Sequence, residues 1–168
     1  ARADRPSVAV PQSWDELIEL ADGFEPNHFG GKRHLFVIPN TADDYRNFVA
    51  FFFELSWTLG WGFPALDQPY DDSAAWRELE RWTESDYFVR TAQLMQRMVS
   101  AGNGQAIPNP NEGGHYHEGV FSRRWFSKTL LLPEDADARG KAGKTAFEFG
   151  IASMPGVRVG DSVLPGVS

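Results

Sequence analysis

The run from Ala42 to Leu59 constrains this chain more than any other segment. Tyr45, Phe48, Val49, Phe52, Leu55 and Leu59 recur at helical spacing, and Phe51 and Phe53 widen the stripe on either side. So broad an apolar face belongs to a central helix that other elements cover on most sides. Thr41-Ala42-Asp43-Asp44 supplies its N-terminus, with acid in the first turn to suit the helix dipole. Arg46, Asn47, Glu54 and Thr58 fall on the remaining arc, alongside Ala50 and Trp57. Trp57 on that arc either caps the edge of the core or waits for a partner.

Shorter elements surround this helix. Ser13-Trp14-Asp15-Glu16 has the form of a capping box, Leu17, Ile18 and Ala21 give one apolar face, and Gly23 stands where the helix should stop. His34-Leu35-Phe36-Val37-Ile38 reads as a buried strand ended by Pro39. Asp72 or Ser73 caps a helix carrying Trp76, Leu79 and Trp82. Thr83-x-x-Asp86 starts another, with Tyr87, Leu94, Met95 and Met98 on one face and Gly102 as the stop. Arg77 and Arg81 alternate with Glu78, Glu80 and Glu84 in the pattern of a solvated helix face.

The character of the chain then changes. Gly102 to Gly119 holds five Gly, two Pro and three Asn, with Ala106 and Ile107 its only aliphatic residues besides the glycines. Connections of that length tend to be functional or mobile. Strand-like runs follow at 120–132, 145–152 and 157–164, the last bent at Gly160-Asp161. These elements predict an α+β fold in one domain, residues 1–168. A helical part of about 13–102 surrounds the buried 42–59 helix and packs on a small, mostly antiparallel sheet from the C-terminal third. The loop 102–119 connects it to a strand-rich part of about 120–164, and the 34–38 strand joins that sheet.

Composition then limits the function. The absence of Cys excludes a disulfide scaffold, thiolate metal sites and cysteine nucleophiles. The net charge of −7 divides unevenly: residues 1–118 carry nine basic and 18 acidic side chains, whereas residues 119–168 carry seven and five. Nucleic acid is therefore not expected as the main partner, although Arg123, Arg124 and Lys128 could form a locally positive surface. No apolar stretch reaches the roughly 20 residues that span a bilayer, which reads as a soluble protein. A first residue other than Met fits a processed or excised fragment of a longer chain. Aromatic residues number 23, or 14% of the chain, and any that one core cannot absorb would lie at a partner interface.

One constellation could carry chemistry. In an extended His115-Tyr116-His117-Glu118 both imidazoles point to one side, as a metal-binding pair requires. Glu112, Glu118, His28 or His34 could complete a site for a divalent metal such as zinc. Without metal, His115 and His117 could move protons, with Glu118 or Glu112 as partner base and Arg123 holding a phosphate, as in a small ribonuclease or phosphodiesterase. Phosphate-cradling glycine loops, a nucleophile elbow and His-Glu-x-x-His are all absent from the sequence. The expected function is a non-catalytic protein-interaction or assembly module: an oligomer or shell subunit, or an acidic inhibitor-type binding protein. Its interface aromatics would be Trp57, Trp61 and Tyr116, it would need no cofactor, and its partner would be a protein or a second copy. The alternative is a small hydrolase centred on the His115/His117 loop.

Overall fold

The computed structural model describes residues 9–25, 33–37, 45–62, 72–107, 119–122, 141 and 152–166. Among these, four helices and two small two-stranded sheets, one parallel and one antiparallel, make an α+β arrangement. The helices are α1 (Trp14–Asp22), α2 (Tyr45–Thr58), α3 (Asp72–Thr83) and α4 (Asp86–Ser100). The strands are β1 (His34–Val37), β2 (Gly119–Ser122), β3 (Val157–Val159) and β4 (Ser162–Leu164). No helix among the described residues is long and apolar enough to cross a membrane.

α1 begins as its sequence predicts. Ser13 is extended, and its Oγ accepts from the Glu16 amide at 3.2 Å, satisfying one of the orphan donors of the first turn. The Glu16 carboxylate reaches back one residue further than a capping box requires, to the Gln12 amide at 2.7 Å. Trp14, Leu17, Ile18 and Ala21 are buried. The chain entering α1 is also bonded to the C-terminal segment. Trp14 N–H donates to the Gly156 carbonyl at 2.9 Å, and Gly156 N–H donates to the Gln12 carbonyl at 2.8 Å. Gly156 also lets the 163–164 segment close on it from the other side, because a Cβ there would overlap the Leu164 carbonyl oxygen.

The sheets depart from the sequence expectation. β1 pairs with β2 in parallel, with His34 opposite Gly119 and Phe36 opposite Phe121, so the 34–37 strand belongs to a parallel pair. β3 and β4 form an antiparallel hairpin about Gly160-Asp161, where Gly160 takes a φ of +59°. All but the last residue of the run 145–152 and most of 120–132 lie outside the described residues. A sequence pattern identifies a strand, but the direction of its partner is decided by contacts remote in sequence.

The start of the 102–119 segment is part of the core. Ala106 and Ile107 are buried, and the Ala106 carbonyl accepts from the amides of both Leu35 and Phe36, at 2.8 and 3.1 Å. α4 ends at Ser100, and a 3-10 turn over Ala101–Gly104 redirects the chain. Gly102, expected as the stop, has a φ of +58°. A Cβ there would sit 2.6 Å from that of Ala106 and 2.8 Å from the Ala21 carbonyl oxygen. A side chain at 102 would thus separate α1 from the end of α4.

α2 lies between two aromatic clusters. On one side Phe51 packs with Trp14 of α1 and Phe36 of β1; Trp14 meets Phe36 and Phe51 edge-on at 5.4 and 5.5 Å between centroids. Among the described residues the buried Trp14 Nε1 has no hydrogen-bond partner, and packing is what holds this site. On the other side Phe52 meets Trp82 of α3 at 5.6 Å and Phe88 of α4 at 5.3 Å. Consecutive residues turn by about 100° on a helix, so Phe51 and Phe52 serve different clusters.

Three buried polar groups fasten the second cluster. Trp82 Nε1–H donates to Ser56 Oγ at 2.9 Å, Ser56 and Thr91 hydroxyls lie 2.8 Å apart, and Thr91 Oγ1–H donates to the Tyr87 carbonyl at 2.7 Å. Because the Thr91 proton goes to Tyr87, the Ser56 proton must go to Thr91, which gives a one-way chain across α3, α2 and α4. Thr58, placed on the solvent arc by sequence, is buried, and its hydroxyl donates to the Glu54 carbonyl at 2.8 Å. The α4 cap is Ser85, whose Oγ accepts from Phe88 N–H at 3.4 Å; Thr83, the expected cap, is the last residue of α3. Phe88 and Thr91 join Leu94, Met95 and Met98 on the inner face, whereas Tyr87 is exposed.

Ser56→Ala should cost about 2–3 kcal/mol in urea unfolding, because it leaves the buried Trp82 N–H unpaired and removes the donor to Thr91. Ser85→Ala should cost about 1 kcal/mol as a lost helix cap. Thr83→Ala, at an exposed position, should stay within about 0.5 kcal/mol.

Candidate functional site

The solvent side of α2 carries an apolar stripe. Val49, Phe53 and Trp57 follow at spacings of four, which advances each side chain about 40° round the helix and keeps all three on one face. Phe53 is half-buried, while Val49 and Trp57 are 39% and 38% exposed. Gly60, with a φ of +106°, turns the chain after α2, and Trp61 N–H donates to the Ser56 carbonyl at 3.1 Å. That bond brings the Trp61 ring back over the helix.

The rings form a ladder centred on Phe53. Its centroid lies 4.6 Å from that of Trp82, 6.0 Å from Trp61 and 6.4 Å from Trp57, with interplanar angles of 25°, 28° and 33°. Trp61 and Trp82 are themselves 5.3 Å apart. Trp82 is buried and held by Ser56, so the stack grows outward from a fixed base through Phe53 to Trp57 at its exposed end. Rings pinned in this way offer contact area with little conformational entropy left to lose.

Acidic side chains stand beside this stripe. Trp82 is the penultimate residue of α3, and the Tyr87 ring edge passes 3.8 Å from where a Cβ on Gly60 would be. The α3–α4 corner therefore adjoins the end of α2. Glu84, Asp86 and Arg90 are exposed there, Glu78 is engaged with Arg81, and Glu80 is exposed on the Trp76 side of α3. Glu54 lies half-buried on α2 itself.

The residues singled out from sequence separate into two groups. Trp57 and Trp61 are in the ladder, the first exposed and the second half-buried. Tyr116 lies outside the described residues, as do His115, His117, Glu112, Glu118 and Arg123. Among the described residues, no group of three or more His, Asp or Glu side chains is placed to hold a metal ion. His34, considered from sequence as a third ligand, donates from Nδ1 to the Gln105 carbonyl at 2.6 Å. That bond leaves the lone pair on Nε2, the arrangement by which histidines are oriented toward metals.

Two features escaped sequence reasoning. Trp76, read from sequence only as carried on one helix with Leu79 and Trp82, is 64% exposed and stands with Glu80 one turn along α3. The two tryptophans are six residues apart, which places them about 120° apart on the helix, a signal already present in the spacing. The contribution of Phe53 and Val49 to a surface stripe gave no such signal, because it depends on where α3 lies. No family model matches this chain, and neither a curated protein nor a solved structure matches it.

The two ladder tryptophans should respond differently to substitution. Trp57→Ser should change unfolding free energy by no more than about 0.5–1 kcal/mol, as at other surface positions. Trp61→Ala should cost about 2 kcal/mol, short of the roughly 3–5 of a fully buried tryptophan, because it uncovers Phe53 and Trp82. Denaturant titrations of both variants, followed by circular dichroism, measure the difference.

Proposed function

We propose that this chain is a non-catalytic protein-interaction or assembly module whose contact surface is the Val49–Phe53–Trp57–Trp61 stripe. The observation that carries the reading is the ladder itself: stacked rings anchored at a buried tryptophan and ending in one that is 38% exposed. Rigid aromatics rimmed by polar groups are what the centres of protein interfaces use. Trp76 and Tyr87 add exposed aromatic area on neighbouring helices. The same reading keeps the finer architecture expected from sequence, with the strand-forming runs of the C-terminal third building a mostly antiparallel sheet against the 42–59 helix. In that arrangement the opposite face of α2 stays available.

A second reading has one observation in its favour. The pairing of His34 with Gly119 sets this histidine opposite the residue that follows Glu118, and its Nδ1–H bond orients the ring. A divalent metal held by His34, His115 and His117 would make the chain a small hydrolase, with Glu118 as general base.

Two measurements on the purified chain separate the readings. For an interaction module, the native protein should bind an apolar fluorescent dye, and Val49→Ser/Trp57→Ser should lower that binding several-fold while shifting the unfolding midpoint by no more than a few degrees. A native protein that binds no dye would sink this reading. Elemental analysis showing one zinc per chain, lost in both His34→Ala and His117→Ala, would replace it with the hydrolase.

A further inference from the structure

We infer that Asn103 is a modification site, at which the side-chain amide is lost spontaneously to leave aspartate or isoaspartate in the turn that follows α4. This goes beyond the surface proposed above, since it involves no residue of α2. Gly102, Asn103 and Gly104 take φ values of +58°, +57° and +75°, and among the described residues Asn103 is the one non-glycine with a positive φ. A side chain enters that region at a cost that Asn bears better than most, and it stays there only where its surroundings hold it. Here both flanks are held. Gly102 N–H donates to Asp22 Oδ1 at 3.3 Å, and a Cβ on Gly102 would meet Ala106 and the Ala21 carbonyl. Past the turn, the Gln105 carbonyl accepts from His34 and the Ala106 carbonyl from the Leu35 and Phe36 amides. Asn103 itself is exposed, so water reaches it.

The following glycine supplies the nucleophile. Gly104 N, with no Cβ beside it to obstruct the approach, loses its proton and bonds to Asn103 Cγ. The bond from Cγ to the side-chain nitrogen breaks, and ammonia leaves carrying the proton. Water then opens the five-membered imide. Cleavage at Cγ gives aspartate in an unchanged main chain, whereas cleavage at the backbone carbonyl carbon reroutes the chain through Cγ as isoaspartate, longer by one methylene. From its ψ of 33° Asn103 must rotate to bring the nitrogen onto Cγ, so each event passes through an opened turn. The other asparagines precede His28, Thr41, Phe48, Pro110 and Glu112, whose side chains, or the missing amide proton of proline, hinder the same attack.

Neither product suits the turn. Aspartate sets a carboxylate just past the C-terminus of α4, where the helix dipole disfavours negative charge and Asp22 already stands close by. Isoaspartate lengthens the main chain between two fixed ends. Conversion should therefore loosen the contact between α1 and the end of α4, as a slow and irreversible change that the chain carries in its own sequence.

The test ages the native chain in mildly alkaline buffer beside the same chain unfolded in urea. Peptide mass spectrometry and enzymatic methylation of isoaspartate read both. The native chain should gain the amide-to-acid mass difference at Asn103 before any other asparagine, roughly tenfold more slowly than the unfolded chain. Asn103→Asp should lower the thermal midpoint by about 2–4 °C, and the isoaspartate-bearing fraction of aged protein should melt lower still. Asn103→Gly, which keeps the left-handed turn and has no amide to lose, should melt within a few degrees of the native chain and show no loss on ageing. No mass gain at Asn103 over the time in which the unfolded chain converts would overturn the inference, as would earlier conversion at another asparagine. Conversion that leaves the midpoint of the aged chain unmoved would overturn the consequence drawn for α1 and α4.

Discussion

The hydrogen bonds that run from the Trp82 indole through Ser56 and Thr91 to the Tyr87 carbonyl hold three helices in one register. Each hydroxyl in the chain accepts one bond and donates one, so no buried proton is left without an acceptor. Apolar packing alone would let α2, α3 and α4 slide, because side chains of similar size can exchange places at little cost. The polar chain removes that freedom by making each displaced arrangement leave a buried donor unpaired. Every ring in the surface ladder inherits its position from this arrangement. Trp82 is fixed by Ser56, Phe53 and Trp61 lie against Trp82, and Trp57 lies against Phe53.

α2 connects this device to the rest of the molecule. Its Phe51 faces Trp14 and Phe36, so the helix couples the α1–β1 side of the core to the α3–α4 side. The C-terminal hairpin is joined to the same core through Gly156 and the start of α1, and Arg158 donates to Glu16 at 3.3 Å across that junction. Exposed as they are, those two charged groups add little energy; the backbone pairing and the burial of Val157 do more. Segments far apart in sequence therefore meet at α1 and α2, and their contacts are long-range ones that no local pattern encodes.

That division explains what was legible in the sequence. The helix expected at about 42–59 and found over Tyr45–Thr58, the Ser13 cap, the strand expected at 34–38 and found over His34–Val37, and the bend at Gly160-Asp161 all follow from local spacing and turn chemistry. The parallel β1–β2 pairing, the burial of Thr58 and the core position of Ala106 and Ile107 do not, since each depends on a remote neighbour. The expectation of Thr83 as the α4 cap failed for a related reason: α3 runs through Thr83, and the cap falls to Ser85. For the site, the wheel position of Trp57 was enough to single it out, whereas the part played by Phe53 required the location of Trp82.

The aromatic content can be followed ring by ring among the described residues. Trp14, Phe36 and Phe51 close one cluster, and Phe52, Trp82 and Phe88 close the other. Neither accounts for Trp57 or Trp76, whose exposure burdens a folded chain with apolar surface in water. A single exposed aromatic is ordinary, but Trp57 stands at the end of a stack whose other members are held in place. A polar residue at 57 would leave the core intact, because among the described residues the indole stacks only on half-buried Phe53 at the edge of the ladder. The physical role open to Trp57 is therefore outward, toward whatever covers the stripe.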